Sequence, residues 1–86
     1  MHDLYAAQDI LKAALATAKQ KKLKRITKLV ISLGHIEDHG DVISPENLTF
    51  NLNLLRQDTI AGKAEIIIRH VDGHDCILQE IEGDTK

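Results

Sequence analysis

The chain opens Met1-His2-Asp3, and a histidine in second place is the feature of this sequence with the most chemistry in it. A free α-amine, the amide nitrogen of His2 and an imidazole nitrogen would close adjoining chelate rings around one ion. The amide nitrogen of Asp3 would complete a square plane, and the Asp3 carboxylate could take an outer position. Nitrogen-rich tetragonal sets of this kind suit Ni(II) and Cu(II), whereas zinc prefers a tetrahedron. Met1 is expected to be retained ahead of a residue as large as His, so the amine would be its own. The same His2 is equally at home in a loose chain terminus, and the tripeptide by itself does not separate the two.

A second donor set lies at His35, Glu37, Asp38, His39 and Asp41. Imidazoles mixed with carboxylates bind zinc, nickel or manganese weakly, and a solvated acidic loop has the same composition. His35 and His39 are four apart, which would align them on a helix, but Gly40 and the apolar run before them argue for a loop. Were that loop to fold toward the N-terminus, one of these residues could supply an axial ligand. His70 and His74 flank Asp72-Gly73 and read as polar residues beside a turn. Cys76, in an apolar stretch, reads as a packing thiol. Nothing in the spacing favours pairing it with His70 or His74 for nucleophilic catalysis. There is no Ser/His/Asp pattern and no Gly-rich phosphate loop, so the chain is expected not to be an enzyme.

The elements that must position these groups follow from periodicity. Leu4, Ala7, Ile10, Leu11, Ala14, Leu15 and Ala18 recur at three and four, one apolar face of a helix running from Leu4 to about Lys21. Asp3 sits at its start, and a basic run from Lys19 to Arg25 complements the dipole at its end. Ile26 to Leu33 is short and rich in β-branched residues, bounded by Gly34, and predicts a strand. Ser44-Pro45-Glu46 marks a helix start, with Leu48, Leu52 and Leu55 as its stripe, Phe50 and Leu54 at the edges, and an end near Gln57. Ala64–Val71 and Cys76–Ile81 read as strands, and Asp72-Gly73 between them signals a tight hairpin. That turn would set Ile68 across from Ile77 and Ile66 across from Gln79. Glu82 to Lys86 reads as a frayed tail. The expected architecture is α+β: two helices on one face of a three-stranded mixed sheet, in the order α-β-α-β-β, with residues 1–86 as a single domain.

Composition limits the function classes. A net charge of −2 gives no electrostatic reason to expect nucleic acid or an anionic membrane. Tyr5 and Phe50 are too few aromatics for a base-stacking platform. No apolar run approaches the roughly 20 residues that span a bilayer. There is no signal-peptide pattern, and the single cysteine is consistent with a reducing compartment, so a cytoplasmic protein is expected. A three-stranded sheet leaves open edges, which makes a homo-oligomer a live expectation.

Met1-His2-Asp3-Leu4, running into an amphipathic helix with Gln8, resembles the Met-His-Glu-Leu opening of the HypA/HybF family of nickel metallochaperones. Further similarity lies in Ile26-Thr-Lys-Leu-Val-Ile-Ser-Leu-Gly34, in Pro45-Glu-Asn-Leu-Thr-Phe50, and in Asp58-Thr-Ile-Ala-Gly-Lys-Ala-Glu-Ile66. The resemblance implies a nickel-binding domain that holds Ni(II) through Met1, His2 and Asp3. It also implies delivery during maturation of [NiFe]-hydrogenase, or urease in some members, with a maturation GTPase and the hydrogenase precursor as partners. Asp3 replaces the family's usual Glu, one methylene longer. The family's zinc-ribbon module, with its two Cys-x-x-Cys pairs between the last two strands, is missing. Cys76 alone cannot build a four-thiolate site, so no structural zinc is expected. The alternative is a protein-interaction module on the same fold that has lost metal delivery together with the ribbon.

Overall fold

A computed structural model describes residues 2–38 and 41–85, with the side chains of His2, Asp3, Asp38 and Asp41 outside the description. Helix α1 (His2–Gln20) begins two residues before the apolar periodicity does and turns its stripe inward: Ala7, Ile10, Leu11, Ala14 and Ala18 are all buried. Its far end is closed by backbone alone. Lys22 takes a left-handed conformation (φ 59°), Leu23 N–H reaches the Ala18 carbonyl at 2.9 Å, and Lys22 N–H reaches that of Lys19 at 3.2 Å. This Schellman closure ordinarily uses glycine, which has no Cβ to resist a positive φ.

Strand β1 (Arg25–Leu33) is central. Its residues from Leu29 to Leu33, apolar except for Ser32, are buried on both faces, as in a strand covered on both sides. A small antiparallel pair, β2 (Glu37–Asp38) and β3 (Asp41–Val42), replaces the expected plain loop, and the expected turn residue Gly40 lies outside the described residues. Helix α2 (Pro45–Leu55) starts as its sequence dictates, with Ser44 Oγ accepting from Asn47 N–H at 3.1 Å. Leu48 and Leu52 are buried, whereas Phe50 and Leu54 stay exposed. The chain ends with β4 (Glu65–His70) and β5 (Cys76–Asp84). Both helices pack on one face of the sheet, sharing a core with Ile66, Ile68, Leu78 and Ile81. The α-β-α-β-β order holds for the main sheet, which is mixed.

Two expectations are corrected. β4 and β5 do not form a hairpin: the strand order is β4-β1-β5, with β4 parallel and β5 antiparallel to β1. Ile68 lies beside Ile31, and Ile77 beside Ser32. The Asp72-Gly73 segment does turn, with Gly73 at φ +116°. It steps across the end of β1 instead of folding two neighbours together. Gly34 and His35 donate their N–H groups to Asp75 and Gly73, both at 2.8 Å. The second correction concerns the tail. Glu82–Asp84 continues β5 along β1, where Lys24 N–H donates to the Asp84 carbonyl at 2.7 Å and Arg25 pairs with the Asp84 carboxylate. Among the expected tail residues, Lys86 lies outside the description.

A Cβ on Gly34 would sit 2.7 Å from the Gly73 carbonyl oxygen, backbone that cannot swing aside. Gly34→Ala is therefore expected to destabilise the fold by about 1–3 kcal/mol in urea unfolding. Lys22→Gly should act oppositely, stabilising by up to about 1 kcal/mol, because it relieves the left-handed closure of α1.

Candidate metal centre

Three segments meet at one end of the molecule: the start of α1, the β1 exit with its small β2-β3 pair, and the 71–75 crossover. Ile36 and Ile43 pack into the core and line, with Ala6, Asp9, His74 and Cys76, a cleft of ≈ 300 Å³. Ala6 is one helical turn past His2 and Asp3, so the 35–43 segment lies alongside the first turns of α1. The main chain at this end is a helix N-terminus. The first four N–H groups of a helix have no intrahelical acceptor, and His2 and Asp3 are the first two residues of α1. Their amide nitrogens are thus uncommitted to the helix ladder. Met1, the expected source of the amine, lies outside the described residues.

The second donor set is only partly assembled. His35 Nε2 and the Glu37 carboxylate are 3.0 Å apart, both well exposed, an arrangement that contributes at most about 1 kcal/mol. Asp38 and Asp41 occupy opposed positions of the β2-β3 pair, and His39 lies outside the described residues. Among the described residues no three His, Cys, Asp or Glu groups converge as a metal would require. The carboxylate-bearing loop is therefore a neighbour of the α1 start and not, among those residues, a ready cage.

His74 was legible in the sequence only as a turn neighbour. In the fold its Nδ1 lies 3.1 Å from the His35 carbonyl oxygen; a carbonyl can only accept, so Nδ1 carries a proton, and in the neutral ring Nε2 holds the lone pair. His35 donates from Nε2 to Glu37, which in the neutral ring puts the lone pair on Nδ1. Hydrogen bonds of this sort orient imidazoles for ligation. The two rings flank a shallow cleft with Ile36 and Glu37. No sequence spacing could reveal this, because the residues are 39 apart. His70 is exposed at the end of β4.

Cys76 is half-buried, and burial first and the Asp9 carboxylate second push its thiol above the ordinary value. A neutral packing thiol is what these surroundings favour, in keeping with the sequence reading and opposed to a nucleophile.

The fold defines a class: a two-layer α+β domain with two helices on one face of a mixed three-stranded sheet. Residues 1–77 match the sequence model of the HypA family, described as hydrogenase/urease nickel incorporation, metallochaperone. The chain belongs to the HypA family. It is 31% identical over 71 residues to the hydrogenase maturation factor HypA of Methanocella arvoryzae, covering 83% of this chain and 59% of that protein. For the Methanobrevibacter smithii factor the identity is 34%, with 83% and 54% covered. The chain thus spans little more than half the length of these curated relatives. The solution structure of the nickel metallochaperone HypA from Helicobacter pylori superposes with a TM-score of 0.69, covering 98% of each chain at 11% identity, a likeness of fold.

Raising the pH tests the Cys76 environment. Alkylation should titrate with a midpoint above 9.0, the ordinary value, and Asp9→Asn should lower that midpoint and speed alkylation at fixed alkaline pH. Because the folded state holds the proton more tightly, the thiol's contribution to stability is complete below pH 9.0 and is lost as pH rises through the folded value.

Proposed function

We propose that this chain is a nickel-binding, non-enzymatic metallochaperone that takes Ni(II) at Met1-His2-Asp3 and passes it on during [NiFe]-hydrogenase maturation, with urease as a second acceptor. The observation that carries the reading is the HypA match, which begins at residue 1 and includes the tripeptide. The ligands are the Met1 amine, the backbone nitrogens of His2 and Asp3, and the His2 imidazole. No zinc module is assigned within residues 1–86, where Cys76 is the only thiol.

Physical chemistry supports a site at this place. Ligation by the two amide nitrogens breaks no helical hydrogen bond, since those N–H groups have no intrahelical acceptors. A bare dication would oppose the positive end of the α1 dipole by about 0.3–1 kcal/mol. Two deprotonated amides cancel that charge, so the dipole does not decide the outcome. Ni(II) must displace protons from amine, amide and imidazole, so affinity falls steeply with acid. Such exchange gives a carrier its means of release. The 35–43 segment, packed beside Ala6 through Ile36 and Ile43, is the nearest source of an axial donor from His35, Glu37, Asp38, His39 or Asp41. The receiving partners in this reading are the family's maturation GTPase and the hydrogenase precursor.

Nickel titration of the chain with Met1 as its terminus should give about one equivalent of a diamagnetic square-planar spectrum. His2→Ala should abolish it, and so should one residue added before Met1. Undiminished nickel binding in His2→Ala would sink the N-terminal site. A chain that binds its maturation partner equally well with the extension, and never binds nickel, would point to a docking module.

A further inference from the structure

Strand β4 is an edge of the sheet, with β1 on one side and, among the described residues, no strand on the other. The β1 ladder determines which backbone groups face outward. Val71 N–H donates to the Leu33 carbonyl at 3.1 Å, and in a parallel ladder alternate residues address the same neighbour. Glu65, Ile67 and Arg69 therefore turn their N–H and C=O groups toward β1, while Ile66, Ile68 and His70 turn theirs to the open edge. No lysine, proline or bulge blunts the Ile66–Ile68 run, the usual protections of an exposed edge.

We propose that this edge binds a second copy of the same chain, β4 against β4 antiparallel about a twofold axis at Ile67. The register follows from two independent constraints. Only outward-facing residues can hydrogen-bond across the edge, so Ile66 must lie opposite another even-numbered residue. With the axis at Ile67, Ile66 faces Ile68 of the second copy as a hydrogen-bonded pair. Glu65 then faces Arg69 of the second copy as a non-hydrogen-bonded pair, where side chains approach most closely. The neighbouring allowed registers lose this match. An axis at Ile66 sets Arg69 against Lys63, and an axis at Ile68 sets Glu65 against Val71 and Arg69 against Ile67. Glu65 and Arg69 are exposed, and within the chain neither has an ion pair or side-chain hydrogen bond among the described residues.

The helix-side face agrees. Ile66 and Ile68 floor a groove of ≈ 490 Å³ between β4 and α2, walled by Phe50, which is 63% exposed. In the paired form the two apolar floors join into one, and Phe50 of each copy gains apolar cover. The result is a continuous six-stranded sheet with all four helices on one side.

Sedimentation equilibrium of the 86-residue chain tests this, with circular dichroism to show that each variant is folded. The wild type should form a concentration-dependent dimer. Arg69→Glu should weaken it about tenfold or more, because two attractive cross-strand pairs turn repulsive. The charge swap Glu65→Arg with Arg69→Glu should restore it. A wild type that stays monomeric, an Arg69→Glu variant that dimerises unchanged, or a swap that fails to recover would each overturn the proposal. A monomeric result would leave the edge to a strand from a different protein.

Discussion

Everything in this domain hangs on β1 being flanked on both sides. Its Leu29–Leu33 stretch, apolar but for Ser32, presents apolar side chains to both faces and must be screened from water on both. The helices cover one face, and strands at its two edges narrow the exposure of the other. Because β4 lies parallel to it, the intervening chain must cross over the sheet, and α2 is the element that does so while adding Leu48 and Leu52 to the core. Because β5 lies on the opposite edge, the chain must then pass over the end of β1. Gly34 makes that passage feasible, since any Cβ would meet the backbone of Gly73.

That crossing also shapes the end of the molecule where α1 begins. It carries His74 over the β1 exit, where its ring hydrogen-bonds to His35, and it brings Cys76 beside Asp9 of α1. The small β2-β3 pair is held down through Ile36 and Ile43, so that segment lies along the first turns of α1. Five residues, 71–75, make the connection between β4 and β5. The reading of the chain as a nickel carrier therefore places all metal chemistry at the α1 start, with no second metal module within these residues.

The sheet edges belong to a different part of the physics. β4 is short, with an Ile66–Ile68 run that no lysine, proline or bulge protects, and the backbone groups it presents are dictated by its pairing with β1. The alternation of Glu65, Ile67 and Arg69 on one face and Ile66 and Ile68 on the other is self-complementary in a single register. Assembly and metal binding would thus use opposite kinds of surface, one a sheet edge and the other a helix terminus.

Local rules reached far. The apolar stripe of α1, the Ser44-Pro45 helix start, the boundaries of β1 and the α-β-α-β-β order were all legible from periodicity and capping, because each rests on interactions within a few residues. Family membership was legible too, through motifs spread in order along the chain. Strand order was not. Asp72-Gly73 is a true turn signal, but a turn cannot say which strands pair. The Leu29-Val30-Ile31 run in β1, with apolar side chains on successive residues, is the kind of signal a strand covered on both faces leaves. Pairing of Glu82–Asp84 with the start of β1, and the His74–His35 contact, join residues far apart in sequence. Such partners become neighbours only when the core closes, so tertiary structure alone decided them.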